Sequence, residues 1–184
     1  MSAQKILRVA VLVDLRRSPQ AGGHVKCWER LAAAAAQSDL PLDLTVYFSG
    51  PPSTERLGPH TRFRSLPPVF STSTLKFLPY VPDHTDLAPY HRRLARELAQ
   101  YDVIHTTDGF FAFSRTAERV SRVQGIPLVT SFHTDTPSYT RIFTRQTIEK
   151  VCGRGWIGRK LIESWNIPER QGRIKDERLA HHVA

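Results

Sequence analysis

Only two cysteines, Cys27 and Cys152, occur in 184 residues, which excludes the disulfide framework of a small secreted domain. Long apolar runs are missing too. Residues 6–13 are interrupted by Arg8 and closed by Asp14, Leu15, Arg16 and Arg17, the wrong flanks for a signal peptide. Nothing later approaches the ~20 apolar residues of a membrane span, so these absences place the chain in the cytoplasm. There is no G-x-G-x-x-G fingerprint, no P-loop lysine, no G-x-S-x-G elbow and no zincin spacing; a dinucleotide site, a phosphate-gripping ATPase loop and an α/β-hydrolase triad are disfavoured. Acid is in deficit, with 17 Asp+Glu against 26 Lys+Arg and a net charge of +9. Such a balance suits an anionic partner: nucleic acid, a phosphorylated ligand or the inner membrane leaflet. Equally, 20 arginines against 6 lysines can record no more than the composition bias of the source genome.

What is present alternates. Residues 6–13 form a nearly continuous apolar strand, the pattern of a strand covered on both faces, and a loop over residues 14–24 follows. Val25, Trp28, Ala32 and Ala35 recur at helical spacing and mark an amphipathic helix that ends near Ser38, Asp39 and Pro41. Further strands are expected at 42–48, 61–66, 102–106 and 128–133, and further helices at 87–99, around Phe113, Thr116, Val120 and Val123, and from Pro137, with Thr136 as N-cap. Residues 67–89, rich in Pro, Ser and Thr and carrying Phe70, Phe77 and Tyr80, read as an ordered excursion packed on the sheet edge. After Lys150 the chain is helical and basic, and residues 168–184 are either a solvated helix or a segment awaiting a partner surface. The fold expected is α/β: a Rossmann-like, doubly wound parallel sheet in three layers. Residues 1–165 make that domain and residues 166–184 a basic helical linker or tail.

In an open parallel sheet, ligands bind at the carboxyl edge of the strands, where strand order reverses. That rule gathers three stretches: Gly22-Gly23-His24 after the first strand, Thr106-Thr107-Asp108-Gly109 after the 102–106 strand, and His133-Thr134-Asp135 after the 128–133 strand. Glycines opening a helix suit the close approach of an anion, and equally a tight turn. The pairs His84/Asp86, His105/Asp108 and His133/Asp135 invite a metal, but none has metal-ligand spacing. His105 is expected to lie in a buried strand and donate to a backbone carbonyl. His133 is either a site residue or a packed structural histidine. Cys27 is expected to be a small core residue rather than a nucleophile. Aromatics are not interleaved with basic residues, so specific nucleic-acid binding is not expected.

The first strand with Ala21-Gly22-Gly23-His24-Val25, then Tyr101-Asp102-Val103-Ile104-His105, then the run from Gly125 to Val129 leading into His133-Thr134-Asp135-Thr136-Pro137-Ser138-Tyr139, resembles the N-terminal half of family 4 glycosyltransferases of the GT-B fold. The similarity runs over roughly residues 6–150. It implies one half of a two-domain cleft: an acceptor-binding domain of a retaining enzyme that moves a sugar from a nucleotide-sugar donor, with no metal ion or other cofactor. It implies that the amides of Gly22 and Gly23 face the donor diphosphate, that His133 contacts the transferred sugar, and that His24, Asp108, Thr134 and Tyr139 lie on the acceptor side. A lipid acceptor and a peripheral place at the inner membrane face are further implications. The family's donor-gripping second domain has no counterpart in these residues, so the chain is expected to be a fragment, a natural half or a truncated product, inactive alone. The rival readings are a free-standing Rossmann-like module for an anionic ligand and a basic membrane or nucleic-acid adaptor.

Overall fold

The computed structural model describes residues 5–74 and 85–183. Within them the chain forms two compact units, residues 5–72 with 85–133, and residues 73–74 with 134–183.

The first unit is built on β1 (Leu7–Arg16), β2 (Leu42–Ser49), β3 (Ser53–Arg56), β4 (Thr61–Leu66), β5 (Val103–Thr106) and β6 (Leu128–Thr130), in the order β3-β4-β2-β1-β5-β6. All neighbours are parallel except β3, which runs antiparallel to β4. β1 is central because its middle is apolar on both faces: Ala10 to Val13 are at most 1% exposed. Alternation sends Ala10 and Leu12 to one layer and Val11 and Val13 to the other. Val11 and Val13 meet Val25 and Ala32 of α1 (Gly23–Ala36). Ala10 and Leu12 meet Leu94 and Leu98 of α2 (Arg92–Leu98) and Phe113, Ala117 and Val120 of α3 (Ala112–Gln124). Burying a side chain such as Phe113 or Leu98 is worth roughly 1.5–3 kcal/mol each, so these three layers hold the unit together. The doubly wound α/β architecture is therefore the one expected, with strand order reversing between β1 and β5.

Several local expectations need correction. β3 has no counterpart among the expected strands, because its four residues are all exposed and carry no apolar alternation. β1 continues through Asp14 to Arg16 instead of giving way to a loop at Asp14, and β6 stops at Thr130 rather than His133. α2 begins only at Arg92, because Asp86 accepts the Ala88 amide and His91 caps the helix, its Nδ1 accepting from Leu94 N at 3.1 Å. On α3, Val123 is 77% exposed and Ala117, with no side-chain reach, takes the buried stripe. Cys27 faces solvent and is not a core residue. Of the 67–89 excursion, Phe77, Tyr80 and His84 lie outside the described residues. Its flanks are tied by Asp86, which accepts from the amides of Val69 at 2.7 Å and Phe70 at 2.9 Å.

The second unit holds α4 (Thr136–Cys152), the single turn α5 (Trp156–Arg159), a π-turn at Lys160–Ser164 and α6 (Ile167–Val183). Asp135, not Thr136, caps α4: its Oδ1 accepts from Ser138 N at 3.2 Å. The Ser138 side chain first, and this amide second, hold the carboxyl below its ordinary range. Residues 167–183 are helical and anchored to α4 through Arg141, which donates to Glu169 at 2.9 Å and to Asp176. Gly172 permits this: a Cβ there would stand 2.5 Å from Arg141 Cγ.

Candidate active site

β1, β5 and β6 are consecutive in the sheet and parallel, so their carboxyl ends present three loops along one edge at the point of reversal. The edge is held tightly. Thr107 donates from both its amide, at 3.2 Å, and its hydroxyl, at 2.8 Å, to the Leu12 carbonyl, sewing the end of β5 to β1. Ser131 N donates to Thr106 O at 2.9 Å, carrying the β5–β6 ladder one step beyond β6.

After β1 the chain turns through residues 17–22 into α1, with Gly22 as N-cap at φ −64° and ψ 173°. This is extended backbone that any residue adopts. A Cβ on Gly22 or Gly23 would meet nothing within 4 Å. Neither conformation nor packing therefore demands glycine at these two positions, which weakens the tight-turn reading. Gly22 brings no capping side chain to α1 and no acidic residue sits in its first turn, so among the described residues no carboxylate of that turn offsets the positive end of its dipole.

His24, on the first turn of α1, stacks on His133 with ring centroids 4.5 Å apart and planes at 12°. Burial, and secondarily His133, push the His24 imidazole down to about 4. Its Nε2 is buried and has no hydrogen-bond partner among the described residues. The His133 ring is exposed, and its Nε2 lies 2.9 Å from Ser131 Oγ. The same hydroxyl lies 2.9 Å from Nε2 of His105. His105 stands half-buried, edge-on to Trp28 at 5.0 Å, and burial followed by His133 lowers its pKa. The expectation that His105 donates to a backbone carbonyl is thus corrected: its partner is a side-chain hydroxyl.

The structure brings Gly22, Gly23, His24 and His133 together at this edge. Asp108 lies on the same edge, but its Oδ1 accepts from the amides of Phe110 at 2.7 Å and Phe111 at 3.2 Å and from the Ser114 hydroxyl at 3.0 Å. Its visible work is to hold the turn from β5 into α3. Thr134 and Tyr139 belong to the second unit, where Thr134 O accepts from Thr136 N at 2.8 Å and the exposed Tyr139 ring stacks on Phe143 at 5.9 Å. Three residues escaped sequence reasoning: Ser131, Trp28 and Asp14. Strand register held a signal for the first, since His105 pairs with Val129 and period-two alternation puts Val129, Ser131 and His133 on one side. Asp14 is 1% exposed; its Oδ2 accepts from Phe113 N at 3.0 Å, and its Oδ1 has no partner among the described residues. Among the described residues no group of three or more His, Cys, Asp or Glu is placed to hold a metal ion.

A three-layer α/β sheet whose reversal point carries a glycine-led helix start beside a histidine cluster defines a Rossmann-like ligand-binding half-domain. The model of Glycosyltransferase Family 4 matches residues 21–165, and the chain belongs to that family. Its function is accordingly of the glycosyltransferase type. No curated protein matches the chain.

Proposed function

We propose that this chain is the acceptor-side domain of a retaining glycosyltransferase that moves a sugar from a nucleotide-sugar donor, with residues 1–165 forming the domain and 166–184 a basic linker. One observation carries the reading: in a family 4 chain, His133 and the glycine-led start of α1 stand side by side at the reversal point of the sheet. In this reading the amides at Gly22 and Gly23 donate to the donor's diphosphate, as a helix start favours anions. His133 hydrogen-bonds the transferred sugar. His24, Thr134 and Tyr139 serve the acceptor, and Asp108 shapes its lip by holding the β5–α3 turn. A donor-binding domain supplies the opposite wall of the cleft. No metal or other cofactor enters the proposal.

A lipid acceptor and a peripheral place at the cytoplasmic membrane face belong to the same proposal. Among the described residues no helix is long and apolar enough to cross a membrane. Support comes from a groove of about 690 Å³ between α2 and α3, on the face of the unit away from α1. Its floor is Ala95 and Val120, and its rim carries the exposed Arg92, Arg96 and Arg119, none with an ion-pair partner among the described residues.

His133→Ala in the transferase assembled with its donor-binding domain tests the main reading. Removing one preorganised donor costs on the order of 2–4 kcal/mol in the transition state, or ~30- to 1,000-fold in turnover. Because the ring is exposed, the melting temperature of the chain should move by only about 1–2 °C. A variant that melts much earlier while its folded fraction keeps full specific activity sinks the proposal.

A further inference from the structure

Ser131 and His133 are two residues apart beyond β6, and His105 sits on the neighbouring β5. The two imidazoles do not touch each other's nitrogens; they meet through one oxygen. Ser131 Oγ is 2.9 Å from Nε2 of His105 and 2.9 Å from Nε2 of His133. A serine hydroxyl has a single proton to donate and lone pairs to accept with. The oxygen could accept N–H from both rings with its own proton turned away, or donate to a bare Nε2 of one ring while accepting N–H from the other; among the described residues these two rings are its hydrogen-bond partners, so only the second arrangement uses the proton within the protein. Two neutral rings bridged in this way hold opposite tautomers.

We propose that Ser131 is a positioning residue: its hydroxyl locks His105 and His133 into complementary tautomers and leaves Nδ1 as the only nitrogen that His133 can offer to a ligand. The surroundings of the bridge support this. His24 covers one face of the His133 ring at 4.5 Å, and Trp28 meets His105 edge-on at 5.0 Å, so both rings are held in plane. A half-turn of the His133 ring would put carbon where Nε2 now meets the hydroxyl and forfeit the bond. Burial lowers the basicity of His105, which makes it a fixed hydrogen-bond partner and not a store for a proton taken from substrate. The same holds for His24 on the other side of the stack, pushed down to about 4. A ligand hydroxyl or oxygen approaching His133 therefore meets a nitrogen whose role, donor or acceptor, is decided two residues back in the chain and one strand away. Such second-layer bonds commonly set which nitrogen of a histidine is active.

The claim about tautomers rests on the bridge and on the hydroxyl proton being used within it, whereas its use toward substrate rests on the proposed role of His133; the experiment separates the two. In the ¹⁵N-labelled chain at neutral pH, multiple-bond ¹H–¹⁵N spectra resolve both nitrogens of each imidazole, with His105→Gln and His133→Gln giving the assignments. The expected wild-type result is one ring protonated at Nε2 and the other at Nδ1, neither averaging. Ser131→Ala should release His133 into a tautomer mixture, and Ser131→Thr, which keeps the hydroxyl, should restore the wild-type pattern. The coupling is overturned if the wild-type rings share one tautomer or average between two, or if Ser131→Ala leaves the pattern unchanged. In the assembled transferase, Ser131→Ala should lower kcat about tenfold with KM within twofold, and Ser131→Thr should recover it. An intact tautomer lock with unaltered kcat in Ser131→Ala would overturn the substrate-facing role of His133 and leave the lock standing.

Discussion

Asp14 offers a stability test that needs no substrate. The carboxyl sits near the end of β1, almost wholly buried, with Oδ2 accepting from the Phe113 amide and Oδ1 without a partner among the described residues. Burial pushes its pKa well above the ordinary carboxylate range, Asp108 adds to the rise, and the Phe113 bond opposes it. The folded chain thus keeps a proton that the unfolded chain releases near pH 4. Stability from this group is fully present below that pH and is lost as pH climbs toward the folded value. With one extra proton bound by the native state, the slope is about 1.4 kcal/mol per pH unit across that window. For a chain of this length 1 kcal/mol moves Tm by about 2–4 °C, so the effect is ~3–6 °C per pH unit. Asp14→Asn keeps an oxygen for the Phe113 amide and cannot ionise. Thermal unfolding of both proteins between pH 4 and pH 8 should show the variant gaining on the wild type as pH rises, then levelling. A Tm difference that stays flat across the whole range would refute the claim that the site holds a neutral acid.

Two further outcomes follow from the surface and from the second unit. Replacing Arg92, Arg96 and Arg119 together by Gln should weaken binding to anionic vesicles on the order of a hundredfold, at about 1 kcal/mol per charge, while neutral vesicles stay unbound. Binding of the wild type should fade with salt over a Debye length of about 8 Å, and an unchanged affinity in the triple variant would exclude the groove as the contact. Gly172→Ala should lower Tm although alanine is the better helix former by roughly 0.5–1 kcal/mol, because the new methyl displaces Arg141 from Glu169 and Asp176. In an Arg141→Ala background the same change should raise Tm, and a cycle without such a sign reversal would show that the close approach is not what selects glycine.

How much of this was legible depended on whether burial or backbone pairing made the element. β1, β2, β5, α1 and α3 announce themselves because each buries an apolar face, and periodicity is burial written along the chain. β3 cannot be seen that way. Ser53, Thr54, Glu55 and Arg56 are all exposed, and the strand exists through its ladder with β4, aided by Arg64 donating to Thr54 Oγ1 at 3.0 Å and to the Ser53 carbonyl at 3.4 Å. Residues 87–90 fail for the opposite reason: they carry the apolar pattern of a helix, yet Asp86 and Pro89 occupy the backbone groups a first turn would need.

The site divides along the same line. Strand-end position is a sequence property, so the sequence alone places His133, His24 and the two glycines at the sheet edge. What a histidine does there is not a sequence property. His91 and His133 are both followed within a few residues by a helix, and both read equally well as ligands or packing. Their hydrogen bonds separate them at once. His91 is buried, with Nδ1 accepting from Leu94 N at 3.1 Å and Nε2 at 3.0 Å from the Pro67 carbonyl. A carbonyl only accepts, so that Nε2 carries the proton, and both nitrogens of the ring are committed to the fold. His133 commits one nitrogen to Ser131 and keeps the other at an exposed edge, beside the start of a helix whose N-cap is a glycine. A ring with a nitrogen to spare at the reversal point of a parallel sheet is the difference between a structural histidine and a candidate for chemistry. That difference rests on Ser131, which period-two alternation puts on the side of His133 but which nothing in the sequence marks as a bridge between two histidines.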